Sequence, residues 1–254
     1  MKEYALVTGA SSGIGQELAK ELSHHGFSLI VVARRQDKLE QLKKLLEAKY
    51  NVSVQVVVED LSDPESPGRI MNKLKALEGR VKILVNNAGS GYVGEFLTED
   101  LERERKQLEL NVFSLTQLTK LFAAEMKRQG GGYILNVAST GAYHPGPYIA
   151  TYYAAKAYVL SFSEALAVEL APYNITVSTL CPGATRTEFS KNAGRKDNAM
   201  AMSATKVAQI AYRGLMKKKS LIIPGISNRL WVGMPRKWAK GFIAYYQRKL
   251  KRVN

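Results

Sequence analysis

The chain has 254 residues, of which 46% are hydrophobic and 23% charged, and its formal net charge is +15. This composition is typical of a globular protein and excludes a disordered chain, a collagen-like chain and a disulfide-rich scaffold. The single Cys181 has no partner for an internal disulfide, which fits a reducing compartment. No apolar run reaches the roughly 18 residues of a membrane-spanning helix, and the first residues lack a signal-peptide pattern. We therefore expect a cytoplasmic protein.

The charge is concentrated at the end of the chain. Residues 198–254 contain 13 Lys and Arg but no Asp or Glu, which leaves residues 1–197 nearly neutral. Any role of the net charge must therefore belong to this C-terminal segment.

Short β-branched and aliphatic runs alternate with longer helical patterns. The predicted strands are Tyr4–Val7, Ser28–Ala33, Val52–Val58, Val81–Asn86, Tyr133–Val137, Ile175–Leu180 and Ser220–Ile223. The predicted helices are Gly15–His25, Lys38–Lys49, Pro64–Leu77, Leu101–Gln129, Thr151–Leu170, Thr205–Lys217 and Pro235–Leu250. The alternation predicts an α/β protein built from βαβ units, and the continuous apolar strands predict helices on both faces of a parallel sheet.

A glycine-rich turn follows the first predicted strand. Its members are Gly9, Ser11, Ser12, Gly13, Ile14 and Gly15, and a helix begins there. Glycines between a strand and a helix allow the backbone to approach a pyrophosphate, which the free N–H groups of the helix then bind. The alternative is a purely structural turn, but the position after the first strand favours a dinucleotide site.

Polar side chains follow the next three predicted strands. Arg34 and Arg35 end the second strand. A carboxylate at this position would favour NAD, whereas a guanidinium can pair with the 2′-phosphate of NADP. We therefore expect NADP(H) to be preferred over NAD(H). Asp60 and Leu61 end the third strand, where they can contact an adenine, although an Asp there also caps helices. The turn after the fourth strand consists of the small residues Asn87, Ala88 and Gly89. These residues either allow a nucleotide to approach closely or simply form a turn.

Tyr152 and Lys156 are four residues apart on a predicted helix and share one face. A nearby ammonium favours the deprotonated phenol, which makes Tyr152 a candidate acid/base. Ser139 follows the fifth strand, at the carboxyl edge where α/β proteins bind ligands, although it could simply cap a loop. Asn111 lies within a predicted helix, where it is either an exposed residue or the mark of a local break that offers a backbone carbonyl.

In this order, the motifs make the sequence resemble the short-chain dehydrogenase/reductase family, most closely its ketoacyl-reductase and hydroxysteroid-dehydrogenase-like members. The resemblance covers about residues 4–224, and the stretch Pro182, Gly183, Ala184, Thr185, Arg186 and Thr187 also carries it. It implies a single doubly wound Rossmann-like domain over residues 1–254, with a seven-stranded parallel sheet of order 3-2-1-4-5-6-7. It also implies homodimers or homotetramers.

The resemblance implies roles for the site residues. Ser139 would orient a carbonyl, Tyr152 would deliver the proton, and Lys156 would assist Tyr152 and hold the nicotinamide ribose. Asn111 would hold a water of a proton relay. The residues implied to bind cofactor are the glycine turn, Arg34, Arg35, Asp60, Leu61, Asn87, Ala88, Gly89, Tyr152, Lys156, Pro182, Gly183, Thr185 and Thr187. No spacing of His, Cys, Asp and Glu indicates a metal.

The segment of about residues 188–203 corresponds to the mobile substrate lid of the family. Its apolar candidates for a pocket wall are Phe189, Met200 and Met202, although the methionines could equally fill the core. Further candidates outside this segment are Tyr92, Tyr143 and Ile149, and His144 either lines the pocket or belongs to a plain loop. We therefore expect a small apolar ketone or aldehyde, or a 3-ketoacyl thioester, as substrate.

The basic segment of about residues 225–254 has several interpretations. Its predicted helix combines an aromatic stripe with basic residues, a pattern that can lie on an anionic membrane. It could equally pack on the core, contact another subunit, cover the substrate cleft or steer an anionic substrate. No recognition motif accompanies the charge, so we do not expect nucleic acid as a partner.

The leading hypothesis is an NADP-dependent oxidoreductase that acts on a carbonyl or alcohol. One alternative is a regulator that binds NADP and senses redox state without turnover. A second is a reductase attached peripherally to a membrane by its basic segment.

Overall fold

The structure is a computed structural model. It describes residues 2–76, 78–189 and 201–251, and for residues 249–251 it describes the backbone only.

The core of the fold is a seven-stranded sheet in which every pair of neighbouring strands is parallel. Its strands are β1 (Glu3–Thr8), β2 (Ser28–Ala33), β3 (Val54–Val58), β4 (Arg80–Asn86), β5 (Gly132–Val137), β6 (Ile175–Leu180) and β9 (Leu221–Ile222). Their order is β3-β2-β1-β4-β5-β6-β9. Two short strands, β7 (Thr185–Arg186) and β8 (Met202–Ser203), pair separately. The predicted order 3-2-1-4-5-6-7 is therefore confirmed, with β9 as the seventh strand of the sheet.

Helices connect the strands. They are α1 (Gly13–His24), α2 (Gln36–Tyr50), α3 (Ser66–Lys73), α4 (Leu101–Leu108), α5 (Ser114–Arg128), α6 (Ala150–Glu169), α7 (Ala204–Met216), α8 (Ile226–Val232) and α9 (Arg236–Lys251). A π-helical turn, Glu109–Phe113, joins α4 to α5, and a 3-10 turn, Thr140–Tyr143, follows β5. The single predicted helix Leu101–Gln129 is thus two α-helices with a π-helical turn between them.

Two hydrophobic layers cover the sheet because alternate strand residues point to opposite faces. In β1, Ala5 and Val7 belong to the layer that includes Leu18 of α1 and Val207 of α7. The neighbouring Leu6 belongs to the other layer. That layer contains Ile70 of α3 and three residues of α5, namely Leu118, Phe122 and Met126. The prediction of one doubly wound Rossmann-like domain, with helices on both faces, is therefore confirmed.

A buried chain of polar side chains ties the sheet to its helices near the carboxyl edge. Asn86 Nδ2 donates to Thr119 Oγ1 and to Asn136 Oδ1, each at 2.9 Å. Asn136 Nδ2 in turn donates to Ser163 Oγ at 2.9 Å. These bonds link β4, β5, α5 and α6, so the ends of the strands that carry the site are held in one arrangement.

Candidate active site

The carboxyl ends of the parallel strands open into one cavity of about 750 Å³. This volume is in the range of small-molecule and cofactor sites. Nearly all of the predicted site residues line it, and they come from the loops after six strands: Gly9, Ser11, Ser12, Gly13, Ile14, Arg34, Arg35, Asp60, Leu61, Asn87, Ala88, Gly89, Ser139, Tyr152, Lys156, Pro182, Gly183, Thr185 and Thr187. Gly15 and Asn111 lie behind its wall.

The glycine turn after β1 needs glycine for two reasons. Gly9 and Gly13 have φ of 65° and 57°, in the left-handed region that side chains disfavour. A Cβ on Gly15 would lie 2.4 Å from the Gly9 carbonyl oxygen, so α1 could not approach the turn as closely. Ser12 precedes α1 but its side chain does not cap the helix. The first N–H groups of α1 are therefore available to an anion, as a pyrophosphate requires.

The loops after β1 and β4 are joined by direct hydrogen bonds. Asn87 Nδ2 donates to the Thr8 carbonyl oxygen at 2.9 Å. Thr8 Oγ1 accepts from the backbone N–H of Asn87 and of Ala88, both at 3.0 Å. A Cβ on Gly9 would lie 2.8 Å from Asn87 Nδ2, so the close approach of these loops depends on that glycine.

Two guanidinium groups stand at the end of β2. Arg35 Nη2 lies 3.1 Å from Ser11 Oγ and 2.8 Å from Glu188 Oε2. The Arg34 side chain is 74% exposed, and its Nη1 lies 3.7 Å from Asp60 Oδ2. Asp60 Oδ1 is already the acceptor of two hydrogen bonds from Ser62. Arg34 is therefore the freer of the two guanidinium groups, and Glu188 is a partner of Arg35 that the sequence did not indicate.

Lys156 and Tyr152 lie on the first turns of α6, facing the loops after β4 and β5. Lys156 is 4% exposed, and its Nζ donates to the Val137 carbonyl oxygen at 2.8 Å. Burial lowers the Lys156 pKa to about 8. Its Nζ lies 5.8 Å from the centre of the Tyr152 ring. The predicted pairing of ammonium and phenol on one helix face is present in the fold.

Small residues leave room around this pair. A Cβ on Gly91 would lie 2.7 Å from Tyr152 Cδ2, and one on Gly89 would lie 3.4 Å from Lys156 Nζ. Ser139 precedes the 3-10 turn, and its Oγ accepts from the Gly141 N–H at 3.0 Å. The Ser139 hydroxyl thus has an acceptor role within the loop, while its own proton can be donated into the cavity.

Asn111 occupies the π-helical turn between α4 and α5 and is fully buried. Its Nδ2 donates to the Ser90 carbonyl oxygen at 2.8 Å, and its Oδ1 accepts from the Ser90 N–H at 3.2 Å. Of the two interpretations drawn from the sequence, a local break in the helix is confirmed and an exposed Asn is wrong. The amide holds the loop after β4, which carries Gly89 and Gly91.

Comparison with known proteins identifies the family. The family described as short chain dehydrogenase matches residues 3–198. The chain belongs to the short-chain dehydrogenase/reductase family. It is 36% identical over 188 residues to dehydrogenase/reductase SDR family member 4 of Sus scrofa, a match that covers 74% of this chain and 67% of that protein. It is 33% identical over 193 residues to very-long-chain 3-oxoacyl-CoA reductase-B of Danio rerio, covering 74% of this chain but only 61% of that protein.

Comparison with a solved structure indicates the same family. The short-chain dehydrogenase from Sphingobium yanoikuyae, in complex with NADPH, superposes with a TM-score of 0.84 at 29% sequence identity. The match covers 98% of this chain and 95% of that one. This member of the family is therefore an oxidoreductase that acts on CH–OH and C=O groups with a nicotinamide nucleotide.

The cavity of this dehydrogenase is also lined by aromatic and aliphatic side chains, several of which come from the C-terminal helices. Phe189, predicted as a wall residue, lines the cavity, with its ring centre 5.5 Å from that of Tyr152. The C-terminal contributors to the lining are Asn228, Trp231, Phe242, Ile243, Tyr246 and Gln247. The basic segment therefore forms part of the cavity wall and also packs inward through Ala239 and Ile243, while its role in covering a substrate cleft stays a prediction.

Other predicted wall residues lie elsewhere. Met202 packs on the core beside β9, and Tyr92 stacks under the Arg103 guanidinium at 3.7 Å, outside the main cavity. Met202 therefore has the core-filling role that was its alternative, and Tyr143 packs near Cys181. Tyr92 and Ile149 line a smaller pocket that also borders Tyr152, so their role as a substrate wall stays a prediction. Met200 lies outside the described residues.

His144 is a buried link between two segments. Its Nε2 and the Trp231 carbonyl oxygen are 3.0 Å apart, and the Trp231 ring meets its ring edge-to-face at 5.3 Å. It holds α8 in place instead of lining the cavity.

The described residues offer little for thiol or metal chemistry. Cys181 is fully buried, and burial raises its thiol pKa to about 12, so it is not a nucleophile at neutral pH. Among residues 2–76, 78–189 and 201–251, no group of three His, Cys, Asp or Glu side chains could hold a metal ion. No helix in the same ranges is long and apolar enough to cross a membrane.

Proposed function

We propose that this protein is an NADP-dependent carbonyl reductase, with an apolar ketone, aldehyde or 3-ketoacyl thioester as substrate. One observation carries the proposal. Ser139, Tyr152 and Lys156 line one end of a glycine-edged cavity whose other end carries two arginines. A dinucleotide in this cavity would place its reacting group at the tyrosine and its adenosine end at the arginines.

The residues present fit such a cofactor. The left-handed glycines and the uncapped start of α1 form a cradle for the pyrophosphate. Asp60 and Leu61 face the adenine end. The nicotinamide end is bordered by a set of small and hydroxyl-bearing residues: Asn87, Ala88, Gly89, Pro182, Gly183, Thr185 and Thr187. When bound, the nicotinamide supplies the hydride.

The proton is handled by the residues of α6 and the loop after β5. The Ser139 hydroxyl donates to the substrate oxygen and orients it. Tyr152 delivers the proton to the same oxygen, and the Lys156 ammonium stabilises the phenolate that remains. Lys156 is also placed to hold the nicotinamide ribose. Asn111 acts through the loop after β4 and, with a water, extends the proton path to solvent.

The substrate is expected to be apolar because its end of the cavity is. Trp231, Phe242, Ile243 and Phe189 line that end, and the relative in Danio rerio is named as a reductase of very-long-chain 3-oxoacyl-CoA. An acyl thioester is therefore one candidate class, beside simple ketones and aldehydes.

The preference for NADP rests on the two arginines. Arg34, the freer guanidinium, can pair with a 2′-phosphate, and Arg35 already bridges Ser11 and Glu188 at the same edge. The NADPH complex of the Sphingobium yanoikuyae relative is consistent with this choice.

Two further features stay predictions. The lid of about residues 188–203 lies mostly outside the described residues. The homodimer or homotetramer would use exposed apolar side chains on and between α4, α5 and α6, namely Leu108, Phe113, Leu121 and Tyr158.

Replacing the proposed acid tests the proposal. Tyr152→Phe should lower kcat for NADPH-dependent reduction of an apolar ketone by about 10²–10⁴-fold, because only the proton donor is lost. Fluorescence titration should show NADPH binding retained. Tyr173→Phe is the control, since it is the same change at a 41% exposed site outside the cavity. A folded Tyr152→Phe protein with normal turnover would refute the assigned role.

A further inference from the structure

Large exposed apolar side chains lie on α8, on α9 and in the loop before α4, and both of these helices also line the cavity. We call this set the mouth surface: Phe96, Leu97, Ile226, Leu230, Trp238, Phe242 and Tyr245. Each is between 59% and 94% exposed. Single exposed apolar residues are ordinary on soluble proteins, but large exposed groups from several segments indicate an interaction site.

Contacts bring these segments together. Phe96 and Leu97 lie across a groove of about 480 Å³ from Lys240 and Arg248 of α9. Arg248 Nε donates to Tyr148 Oη at 2.9 Å, which fixes α9 beside the loop before α6. On the other side of α9, the Phe242 ring meets the Trp231 ring of α8 at 5.6 Å. Helix α9 therefore lies between the loop of Phe96 and Leu97 and helix α8.

Helix α9 carries an aromatic strip and a basic strip on its outer side. Ala239, Ile243 and Gln247 are buried and define the inner face. At about 100° per residue, Trp238, Phe242 and Tyr245 fall together on one outer flank, and Lys237, Lys240 and Arg248 on the other. The outer side of the helix is thus aromatic on one flank and cationic on the other.

The charge differs between the two sides of the mouth surface. In the loop that carries Phe96 and Leu97, the acidic residues Glu95 and Glu99 stand close by in the chain, and Glu95 lines the groove. The C-terminal segment from residue 198 has 13 basic residues and no acidic one, and Arg229 of α8 and Arg236 of α9 are among them. The part of the mouth surface on α8 and α9 is therefore complementary to a negatively charged apolar partner.

We propose that the mouth surface docks on an anionic lipid membrane, and that the cleft takes its carbonyl substrate from that membrane. Aromatic rings insert at the boundary between headgroups and acyl chains, while Lys and Arg side chains extend to lipid phosphates. The mouth surface adjoins the cavity because Phe242 belongs to both. Docking would therefore bring the cavity close to the lipid. The docking is independent of the catalytic assignment, whereas the delivery of substrate rests on the proposed function.

Flotation of the full chain with lipid vesicles tests the docking. We expect binding to phosphatidylcholine vesicles that contain about one third phosphatidylglycerol, and at least about tenfold weaker binding to pure phosphatidylcholine. Raising NaCl from about 0.05 M to about 0.5 M should weaken binding by a similar factor. Failure to bind the anionic vesicles at low salt would overturn the proposal.

Two double variants locate the docking surface. Trp238→Ser with Tyr245→Ser, and Lys237→Glu with Lys240→Glu, should each reduce vesicle binding about tenfold or more. The matched controls are Leu45→Ser and Lys44→Glu on α2, which lies at the opposite edge of the sheet and should not affect binding. Equal effects of the control and test variants would contradict the assignment of the surface.

Enzyme assays separate docking from catalysis. Trp238→Ser with Tyr245→Ser should leave NADPH oxidation with a water-soluble ketone unchanged and slow the reduction of a ketone dissolved in anionic vesicles. Tyr152→Phe should still bind vesicles. If the surface variants change the oligomeric mass in light scattering and leave vesicle binding unchanged, the surface is a contact between copies of the chain and the proposal is wrong.

Discussion

Lys156 shows how one buried charge can be maintained for chemistry. The side chain leaves water almost completely, and its described hydrogen bond is to a backbone carbonyl, not to a carboxylate. The charged form is therefore destabilised, and the pKa falls from 10.5 to about 8. At neutral pH the ammonium is still present beside Tyr152. In the proposed mechanism this buried ammonium stabilises the Tyr152 phenolate.

This shift predicts a pH limit on activity. Lys156 loses its proton as pH rises through about 8, so the charge that supports the phenolate disappears above that value. We expect kcat/KM for NADPH, which reports the free enzyme, to fall above pH about 8. Initial rates at constant ionic strength between neutral and alkaline pH would measure it. A profile that stays flat through pH 10, the usual range of an exposed lysine, would contradict the role of Lys156.

Arg34 is the residue on which cofactor choice depends most. Arg34→Asp removes the guanidinium and supplies a carboxylate for a ribose 2′-OH, so kcat/KM for NADPH should fall about 10- to 100-fold. The value for NADH should change much less. Lys44→Asp on α2 makes the same change of charge at a distant exposed site. Equal losses with both cofactors would show that Arg34 does not contact the 2′-phosphate.

Two helical elements escaped the sequence patterns for physical reasons. The π-helical turn at residues 109–113 keeps helical periodicity, and it differs from the predicted helix only in its hydrogen bonds. Helix α8 has seven residues between Gly225 and Gly233, and its Ile226 and Leu230 point to solvent. A helix this short with an exposed apolar face gives no amphipathic signal. Both elements nevertheless border the site.

The contribution of α8 can be measured through Trp231, which lines the cavity and contacts His144 and Phe242. Trp231→Ala should raise KM for an apolar ketone about tenfold with a smaller effect on kcat, because apolar contact with the substrate is lost. KM for NADPH should stay constant. Trp238→Ala, at a 70% exposed site outside the cavity, is the matched control. A similar change in both variants would argue against a substrate wall at Trp231.

At the scale of the whole molecule, the net charge separates into two parts. Residues 1–197 are nearly neutral, and Arg34 and Arg35 in this part face the cavity. The excess belongs to the last 57 residues, whose described helices both line the cavity and present a cationic, aromatic outer side. The same segment therefore combines a structural role inside the cleft with the proposed membrane contact outside it.

The sequence by itself determined the sheet and the positions of most site residues along the chain. The predicted strands Ser28–Ala33 and Ile175–Leu180 coincide with β2 and β6. The first contains a continuous apolar run and the second is rich in β-branched residues, and both patterns are visible locally. The glycine turn and the Tyr152–Lys156 pair were also readable, since each depends on spacings of a few residues. Parallel strands then bring their carboxyl ends to one edge.

The tertiary structure alone decided which apolar residues line the cavity, how deeply Lys156 is buried, and that Arg35 meets Glu188. These features depend on contacts between residues far apart in sequence, such as Arg248 with Tyr148 and His144 with Trp231. Hydrophobicity indicates that a side chain such as Met202 or Tyr92 will be shielded from water. It does not identify the groups that will shield it. Core packing and a ligand cavity satisfy the same apolar preference, so only the fold distinguishes them.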